Sequence, residues 1–352
     1  MTAERTPAPT APNQTLEQQV RDHPERFRVL TGDRPTGPLH LGHYFGTLAN
    51  RVRLQRAGVE VFLVIPDYQV ITDRDGVGDL PGTVRELVLD YLAAGIDPAR
   101  ATIFTHSAVP ALNQLVVPFL SLVTVAELGR NPTVKAEADA TRARAMSGLL
   151  LTYPVHQAAD ILFCHGNLVP VGKDQLPHLE LTRLIARRFN ERYAAGTTVF
   201  REPDALLGAA PVLLGTDGTK MSKSRANAIA LGDDEDRTAA LLRKAKTDGL
   251  RTITYDPEHR PEVASLLLTA ALCTGRSPID IAEELGDRGA VALKALVTEA
   301  VNEHLRPLRQ RRRELAGDPT IVRHVLDEGN TRANRIAEET LQKVREVMHM
   351  AY

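Results

Sequence analysis

The sequence predicts an α/β fold, in which a doubly wound parallel sheet carries a helical insert and is followed by a helical C-terminal domain. Three observations predict this fold. From residue 27 onward, short apolar runs alternate with amphipathic segments of helical period. The run Val-Phe-Leu-Val-Ile at 61–65 is continuously apolar, as in a strand that is covered on both faces. After Asp233 only helical patterns remain.

The first half of the predicted sheet has a βαβαβ order. Because strands joined by helical crossovers run parallel with right-handed connections, this order predicts the doubly wound arrangement. Ligands bind such sheets outside the carboxyl ends of the strands, where residues 32–42 and Asp67 fall. The predicted elements are a strand at 27–30 that ends at Thr31-Gly32, a helix at 40–56 with an apolar stripe (Leu41, Phe45, Leu48, Val52), strands at 61–65 and 102–104, and between those strands a helix at about 81–94.

Breaks in these patterns divide the rest of the chain. The later elements are a helical insert at about 108–165, a strand at 168–172, a helix at 174–193 and a short last strand at 211–214. The predicted domains are a disordered extension at 1–25, a sheet domain with its insert at 26–220, a helical domain at 221–325 and a C-terminal helix at 326–352 that packs back on the sheet domain.

Composition indicates an ordinary globular chain from a reducing compartment. The 352 residues are 43% hydrophobic and 25% charged, and the net charge of −1 requires any nucleic-acid contact to come from a local basic patch. Cys164 and Cys273 are the only cysteines and lie far apart, which argues against a disulfide framework and fits a cytoplasmic location. Because no stretch approaches about 18 consecutive apolar residues, no membrane span is expected.

Two polar motifs predict a nucleotide-activating site. Residues 220–224 read Lys-Met-Ser-Lys-Ser, and lysine is a mobile point charge that suits a departing polyphosphate. Upstream, residues 36–43 form a Gly/Pro turn that opens a helix, whose N-terminal N–H groups and dipole attract anions. His40 and His43 add donors at the same end, one helical turn apart, and could stabilise charge on phosphorus.

Other interpretations of each motif alone stay open. Lysine- and serine-rich loops are usually solvated surface, and His40 and His43 could be two surface histidines or part of a zinc site. Zinc needs further ligands, and no third His or Cys lies nearby in the sequence, so no structural metal is expected. The occurrence of both motifs in this order favours the nucleotide site.

Both motifs resemble those of class I aminoacyl-tRNA synthetases. His-Leu-Gly-His at 40–43 is similar to the class's His-Ile-Gly-His, and residues 220–224 match the second class motif letter for letter. Further stretches resemble the tryptophanyl-tRNA synthetase family, over about residues 27–348. They are Thr-Gly at 36–37, Ala-Ala-Gly-Ile-Asp-Pro at 93–98, the run at 148–162 around Tyr-Pro-Val-His-Gln-Ala-Ala-Asp, the run at 169–175, Val-Leu-Asp-Glu-Gly at 325–329 and Ala-Asn-Arg at 333–335.

The resemblance implies a Rossmann-like class I catalytic fold and assigns residues to an ATP site. His40, His43, Lys220 and Lys223 would be its catalytic residues. The ATP contacts that it implies are Arg34, Pro35, Thr36, Gly42 and His43 at the phosphates, Gly172, Lys173 and Asp174 near the ribose, Val212 beside the adenine, and Lys220, Met221, Ser222, Lys223 and Ser224 over the pyrophosphate.

The resemblance also implies a tryptophan pocket. Asp160 would accept the indole N–H, which makes physical sense because a donor-only indole in an apolar pocket needs an acceptor. Its neighbours in sequence are apolar on both sides, so a buried role is favoured over a surface ion pair with a nearby arginine. The other tryptophan contacts implied are Gln175, Tyr153, Gln157, Leu30 and Gln69.

The implied reaction joins tryptophan to tRNA(Trp) through an aminoacyl-adenylate, with ATP, Mg²⁺ and no protein nucleophile. The implied assembly is a homodimer, with apolar residues at 116–123 as a self-complementary patch, and arginines 306, 309 and 311–313 are candidates for tRNA phosphates or for a solvated helix face. Two alternatives remain: a tyrosyl enzyme of the same class, for which no tyrosine stands near Leu30, and a non-charging paralogue with a binding or regulatory role.

Three positions depart from the usual tryptophanyl pattern. Arg34 stands where a glutamine is common, Gln69 replaces a histidine, and Gln157 replaces an apolar methionine beside the indole. These changes concern affinity and inhibitor sensitivity rather than reaction class, and they would suit a divergent or auxiliary copy of such an enzyme.

Overall fold

A five-stranded parallel sheet forms the centre of the computed structural model, which describes residues 12–72, 76–140, 146–172, 175–207, 212–222 and 225–352. The strands follow the order β3-β2-β1-β4-β5. They are β1 (Arg28–Gly32), β2 (Glu60–Ile65), β3 (Ala101–Thr105), β4 (Leu168–Val171) and β5 (Asp204–Leu207). The predicted doubly wound α/β class is confirmed, and the order reverses direction between β1 and β4, which is where such sheets bind ligands.

Helices cover both faces of this sheet and make up the C-terminal half. They are α1 (Pro12–Asp22), α2 (Leu41–His43), α3 (Ala49–Ala57), α4 (Leu80–Ala94), α5 (Pro110–Leu120), α6 (Val125–Arg130), α7 (Pro132–Ala140), α8 (Gly148–Phe163), α9 (Leu176–Tyr193), α10 (Glu235–Arg243), α11 (Pro261–Thr274), α12 (Pro278–Leu285), α13 (Gly289–Ala316) and α14 (Ile321–Val347). None of the helices in the described ranges is long and apolar enough to cross a membrane.

Strand β2 shows why a strand at the centre of the sheet can be a continuous run of apolar residues. Val61, Leu63 and Ile65 belong to one buried cluster, and Phe62 and Val64 belong to another on the opposite face. Successive side chains of a strand point to opposite faces, so both faces of β2 are covered. The first cluster continues into helices α10 to α14, so these helices share one apolar core with the sheet.

Four expectations are corrected. Residues 12–22 form α1 instead of belonging to a disordered extension, because Val20 is fully buried in the core and Glu17 pairs with Arg53 of α3 at 3.3 Å. The fifth strand is β5 rather than residues 211–214, where the described part (212–214) forms only an isolated bridge from Leu214 to Lys220. The sequence did not reveal β5 because its four residues begin with an exposed aspartate and are too few to show the two-residue period of a strand.

The other two corrections concern helix geometry. The helix predicted at 40–56 contains a π-helical stretch, Tyr44–Leu48, between α2 and α3. Such stretches are rare and are frequently found at functional sites, and this one begins directly after His43. The C-terminal helix expected at 326–352 is α14, which starts at Ile321 and ends at Val347.

Helix α14 packs directly against the backbone of β3. A Cβ atom on Gly329 would lie 1.8 Å from the carbonyl oxygen of Ile103, so only glycine permits this approach. Next to it, Asn330 Oδ1 accepts the N–H of Thr105 at 3.1 Å, and Asn334 Nδ2 donates to the carbonyl of Ala108. The Asn334 bond fixes the segment that carries His106 against α14.

Three of the five candidate tRNA-binding arginines are structural. Arg309 is 3% exposed and donates to Thr238 of α10 at 2.7 Å, and Arg311 donates to the carbonyl of Ala93 at 2.9 Å. Arg312 pairs with Asp90 of α4 at 2.7 Å, and the other Asp90 oxygen accepts the N–H of Leu39, just before the first motif, at 3.1 Å. Arg311 and Arg312 therefore hold α13 against α4, and Arg309 holds it against α10.

Candidate active site

One large cleft opens outside the carboxyl ends of β1 and β4 and has a volume of about 1180 Å³. It brings both sequence motifs and the predicted tryptophan residues together. Of the predicted residues, those that line it are Leu30, Arg34, His40, Gly42, His43, Gln69, Tyr153, Gln157, Asp160, Gly172, Gln175, Val212, Lys220 and Met221. The cleft has a phosphate end at the two motifs and an indole end at Asp160.

The phosphate end begins with the turn after β1 and the start of α2. His43 Nδ1 accepts the backbone N–H of His40 at 3.3 Å, and the two rings lie 3.8 Å apart between centroids. A Cβ on Gly42 would meet the His40 ring at 3.0 Å, so glycine is what lets that ring pack over the turn. The turn thus presents two imidazoles, with Gly42 between them, to one part of the cleft.

Backbone hydrogen bonds join the chain after residues 220–224 (the lysine loop) to the motif at residues 40–43 (the first motif). Leu41 N–H donates to the carbonyl of Ile229 at 3.0 Å, and His40 and Ala230 form an antiparallel bridge. The chain that returns from the lysine loop is therefore paired with the first motif. This pairing explains how two motifs that are far apart in sequence reach the same end of the cleft.

Asn227, which the sequence analysis did not single out, shapes the lysine loop. Its Nδ2 donates to Asp217 Oδ1 at 2.9 Å and to the carbonyl of Lys220 at 3.2 Å. Its Oδ1 accepts the N–H of Ser222 at 2.9 Å, and its carbonyl accepts the N–H of Thr216 at 2.8 Å. The Asn227 hydrogen bond, followed by bonds from Thr219, lowers the pKa of Asp217 and keeps that carboxylate ionised at the loop turn.

A buried ion pair supports the floor of the phosphate end. Arg51 of α3 pairs with Asp33, and it also donates to the carbonyl of Gly32 at 3.2 Å. Burial by itself would raise the pKa of Asp33, but the charge and hydrogen bond of Arg51, with smaller contributions from His43 and Tyr91, together hold the pKa well below its usual range. Tyr91 donates its hydroxyl to the same carboxylate at 2.8 Å. No motif marks this group in the sequence.

Some predicted ATP contacts do not reach the cleft wall or cannot be placed. Pro35 and Thr36 lie in the turn behind Arg34, where the Thr36 N–H donates to the Arg34 carbonyl at 2.8 Å. Ser222 follows Met221, and its backbone N–H donates to Asn227 Oδ1. Lys173, Asp174, Lys223 and Ser224 lie outside the described residues.

The indole end is lined largely by helix α8. Tyr153, Gln157 and Asp160 lie at spacings of four and three on this helix, so they share one face, which lines the cleft. Tyr153 lies with its hydroxyl 3.1 Å from His178 Nε2 of α9. Burial, and next the carboxylate of Glu137, raise the pKa of Tyr153, so this hydroxyl stays protonated.

Asp160 is 2% exposed, and the imidazoles of His106 and His156 lie beside it. His106 Nε2 lies 2.7 Å from Asp160 Oδ1, yet the angles do not make a hydrogen bond, and neither atom has such a partner among the described residues. An unsatisfied buried acceptor costs roughly 1–3 kcal/mol. Asp160 also lines the cleft, where its carboxylate can accept an N–H group from a ligand.

His106, His156 and Asp160 are close enough to raise the question of a metal. One possible ligand atom from each lies within 4.8 Å of the others. The two imidazoles are stacked, however, with centroids 4.2 Å apart and planes at 28°. Lone pairs of stacked rings run nearly parallel and do not converge on one tetrahedral ion, and His156 Nε2 is already bonded to Asn113 at 2.9 Å. The geometry of these three side chains therefore does not suit a metal ion.

Comparisons with known proteins all find tRNA synthetases as the similar proteins. The family model "tRNA synthetases class I (W and Y)" matches residues 22–306. A tryptophan–tRNA ligase of Treponema pallidum is 44% identical over 332 residues, which cover 92% of this chain and 97% of the relative. One from Thermotoga maritima is 38% identical over 93% and 100% of the two chains. Among solved structures, the tryptophanyl-tRNA synthetase of Campylobacter jejuni complexed with ADP and tryptophan superposes with a TM-score of 0.79, at 30% identity over 92% of this chain and 100% of that one.

Proposed function

Because the chain belongs to the class I tRNA synthetases of the tryptophan and tyrosine family, we propose that it is a tryptophan–tRNA ligase. The observation that carries this proposal is the single cleft that has a buried acceptor at one end and both phosphate-directed motifs at the other. Relatives of that function, up to 44% identical over almost their full length, support the choice of amino acid.

The proposed reaction has two steps. The carboxylate of tryptophan attacks the α-phosphorus of ATP, a P–O bond to the β-phosphate breaks, and pyrophosphate leaves. The aminoacyl group then passes to a terminal ribose hydroxyl of tRNA(Trp), and AMP leaves with the bonding electron pair. Because the nucleophile belongs to the substrate, the protein contributes position and charge stabilisation.

His40, His43 and Lys220 are the described residues that we assign to charge stabilisation. The turn at Gly42 would lie against the phosphates, and Lys220 would follow the departing pyrophosphate. Gly172 and Val212 would contact the ribose and the adenine. For Lys173, Asp174, Lys223 and Ser224 the assignments rest on the motifs that contain them.

Mg²⁺ is expected to arrive with ATP and to neutralise part of the charge on the phosphates. The described side chains at the phosphate end suit this arrangement, because Lys220, His40 and His43 are cations or hydrogen-bond donors, and Asp33 is already engaged by Arg51. The ion would therefore be held chiefly by phosphate oxygens.

At the indole end, Asp160 is the proposed acceptor of the indole N–H. Tyr153, Gln157, Gln175, Leu30 and Gln69 are proposed to enclose the rest of the amino acid. A substrate without a matching donor would leave the buried carboxylate unpaired, which penalises phenylalanine. Tyrosine would be excluded mainly by pocket shape.

We further propose a cytoplasmic homodimer. The patch expected at 116–123 has Phe119 and Leu122 in the core, but it leaves Val117 71% exposed, and Val125 next to it is 73% exposed. Exposed valines on neighbouring helices α5 and α6 fit a self-complementary contact. Cytoplasmic location fits the use of tRNA and the two free cysteines. Contacts with tRNA remain a proposal without assigned residues, since Arg309, Arg311 and Arg312 are engaged within the protein.

The first test is amino-acid-dependent exchange of pyrophosphate into ATP, with tryptophan and tyrosine compared on the purified protein. Exchange with tryptophan alone is expected. Exchange with tyrosine alone would assign the chain to the tyrosyl members of the family. Absence of exchange with both, in folded protein that binds ATP, would favour a non-charging paralogue.

A further inference from the structure

Behind Asp160, on the side away from the cleft, two buried imidazoles fill the space between α8 and the segment that follows β3. His106 is 0% exposed, and neither it nor His156 lines the cleft. His106 Nε2 lies 2.7 Å from Asp160 Oδ1, and the His106 ring stacks on that of His156. Neither histidine can reach a ligand in the cleft directly, so any role must act through Asp160.

The proton positions on His156 follow from its partner. Asn113 Nδ2 donates to the carbonyls of His106 at 2.8 Å and Val109 at 3.0 Å, which fixes the orientation of the amide. Asn113 Oδ1 is thereby left as an acceptor, 2.9 Å from His156 Nε2. His156 must carry its proton on Nε2. Burial, which outweighs the attraction of Asp160, lowers its pKa, so the ring is neutral.

His106 is therefore stacked on a neutral ring and faces a carboxylate. Two negative oxygens and a bare imidazole nitrogen at 2.7 Å would repel each other, so Nε2 of His106 carries a proton on the Asp160 side. The other groups around it do not compete for this role. Asp67 accepts from the backbone N–H groups of Tyr68 and Ser107, and the Tyr68 ring lies 6.4 Å from the His106 ring.

We propose that His106 is the positioning residue that makes Asp160 selective for a ring N–H. Its Nε2 lies against one carboxylate oxygen from behind, so that the other oxygen faces the amino acid. Without it, the carboxylate would lose the group that fixes its orientation and could turn away from the amino acid. A carboxylate that is turned away would no longer distinguish an indole from a ring that lacks the N–H.

The inference rests on the proposed role of Asp160 and is tested by changing the substrate as well as the protein. The two substrates are tryptophan and 3-benzothienylalanine, in which sulfur replaces the indole N–H at nearly the same shape. The readout is the ratio of their kcat/KM values in pyrophosphate exchange. General damage to the pocket weakens both substrates, whereas a misdirected acceptor weakens only tryptophan.

In His106→Leu, the ratio is expected to fall about tenfold or more, through KM for tryptophan, with kcat and KM for ATP little changed. His106→Gln should restore most of the ratio, because its amide can place an N–H where Nε2 now lies. His304→Leu is the matched control. It removes a half-buried histidine of α13 that bonds the carbonyl of Cys273, and it should leave the ratio unchanged.

Equal loss for both substrates, or an unchanged ratio in His106→Leu, would overturn the inference. If the leucine variant does not fold, His106→Asn replaces it, since the shorter amide cannot reach Asp160 and should lose the ratio that His106→Gln keeps. Asp160→Ala separates a failure of the role of His106 from a failure of the role of Asp160. An unchanged ratio in that variant would refute Asp160 as the acceptor of the indole N–H. Absence of tryptophan-dependent exchange in the unmutated protein would refute the proposed function.

Discussion

The two ends of the cleft are built in opposite ways. At the phosphate end, backbone N–H groups, turns and solvent-exposed cations dominate, and the lysine loop is shaped by a single buried asparagine. At the indole end, a buried carboxylate from α8 lies on stacked histidines. A polyphosphate presents many charged oxygens and moves during reaction, so it needs many mobile donors. An indole presents one N–H, so one fixed acceptor suffices.

This difference decides which variants change rate and which change recognition. Interactions at the phosphate end strengthen as charge develops and should act mainly on kcat. Interactions at the indole end are equal in the ground and transition states and should act mainly on KM for tryptophan. Each of the following variants tests one side of this division.

The largest effect is expected for Lys220→Ala. Loss of a cation beside the leaving pyrophosphate should lower kcat for exchange about a hundredfold or more, with KM for tryptophan within about twofold. Steady-state exchange kinetics measure both constants. A variant that kept kcat but lost tryptophan affinity would contradict the division between the two ends.

A smaller effect is expected for Asn227→Ala, which removes no charge. The loop loses hydrogen bonds to Asp217, to the Lys220 carbonyl and to Ser222, so KM for ATP should rise about tenfold while tryptophan binding stays the same. Tryptophan binding is measured by calorimetry without ATP. Asn190→Ala is a control of the same kind, because Asn190 bonds the backbone of Val199 and Phe200 outside the cleft and should alter stability only.

At the indole end, Gln157→Met is expected to strengthen tryptophan binding about threefold. The substitution exchanges a polar amide beside the indole for an apolar side chain of similar size, which lowers the cost of desolvation. KM for tryptophan in the exchange reaction is the measurement. An unchanged or higher value would show that Gln157 makes a favourable contact of its own.

The smallest effect concerns the pH dependence of stability. Since burial lowers the pKa of His156 below 6.5, the unfolded chain binds a proton first as the pH falls, and the free energy of unfolding decreases below about pH 6.5. His156→Gln should reduce this dependence by at most about 1.4 kcal/mol per unit of pKa shift. Urea unfolding of both proteins at pH 7.5 and 5.5 measures the difference, to which His165 and His304 contribute equally in both proteins.

The sequence predicted the fold class and nearly half of the cleft wall because both depend on contiguous patterns. An unbroken apolar run marks β2, and the two motifs carry their residues within a few positions of each other. Strand β5 and helix α1 were missed because they are short or polar and are stabilised by tertiary contacts. Val20, for example, is buried only by packing of α1 against the rest of the chain.

The supporting residues could not be predicted from sequence. Asn227, Arg51 and His106 lie alone in their segments, and each acts on a partner that is distant in the chain or is chosen by the fold. The arginines of α13 show the opposite error, in which a sequence pattern suggested a role that the side-chain contacts do not fit. Their spacing suggested a phosphate-binding face, yet Arg309 and Arg312 point to partners on α10 and α4, which no helical pattern reveals.

The bonds of Asp90 have a consequence for how the molecule comes apart. One oxygen holds the N–H of Leu39, at the entrance to the first motif, and the other holds Arg312 of the C-terminal helices. The same apolar cluster runs through both regions. Melting of the helical half would therefore expose a buried carboxylate and loosen the turn before His40. The chain should denature in one cooperative transition, and a fragment ending near residue 220 should not hold its nucleotide site together.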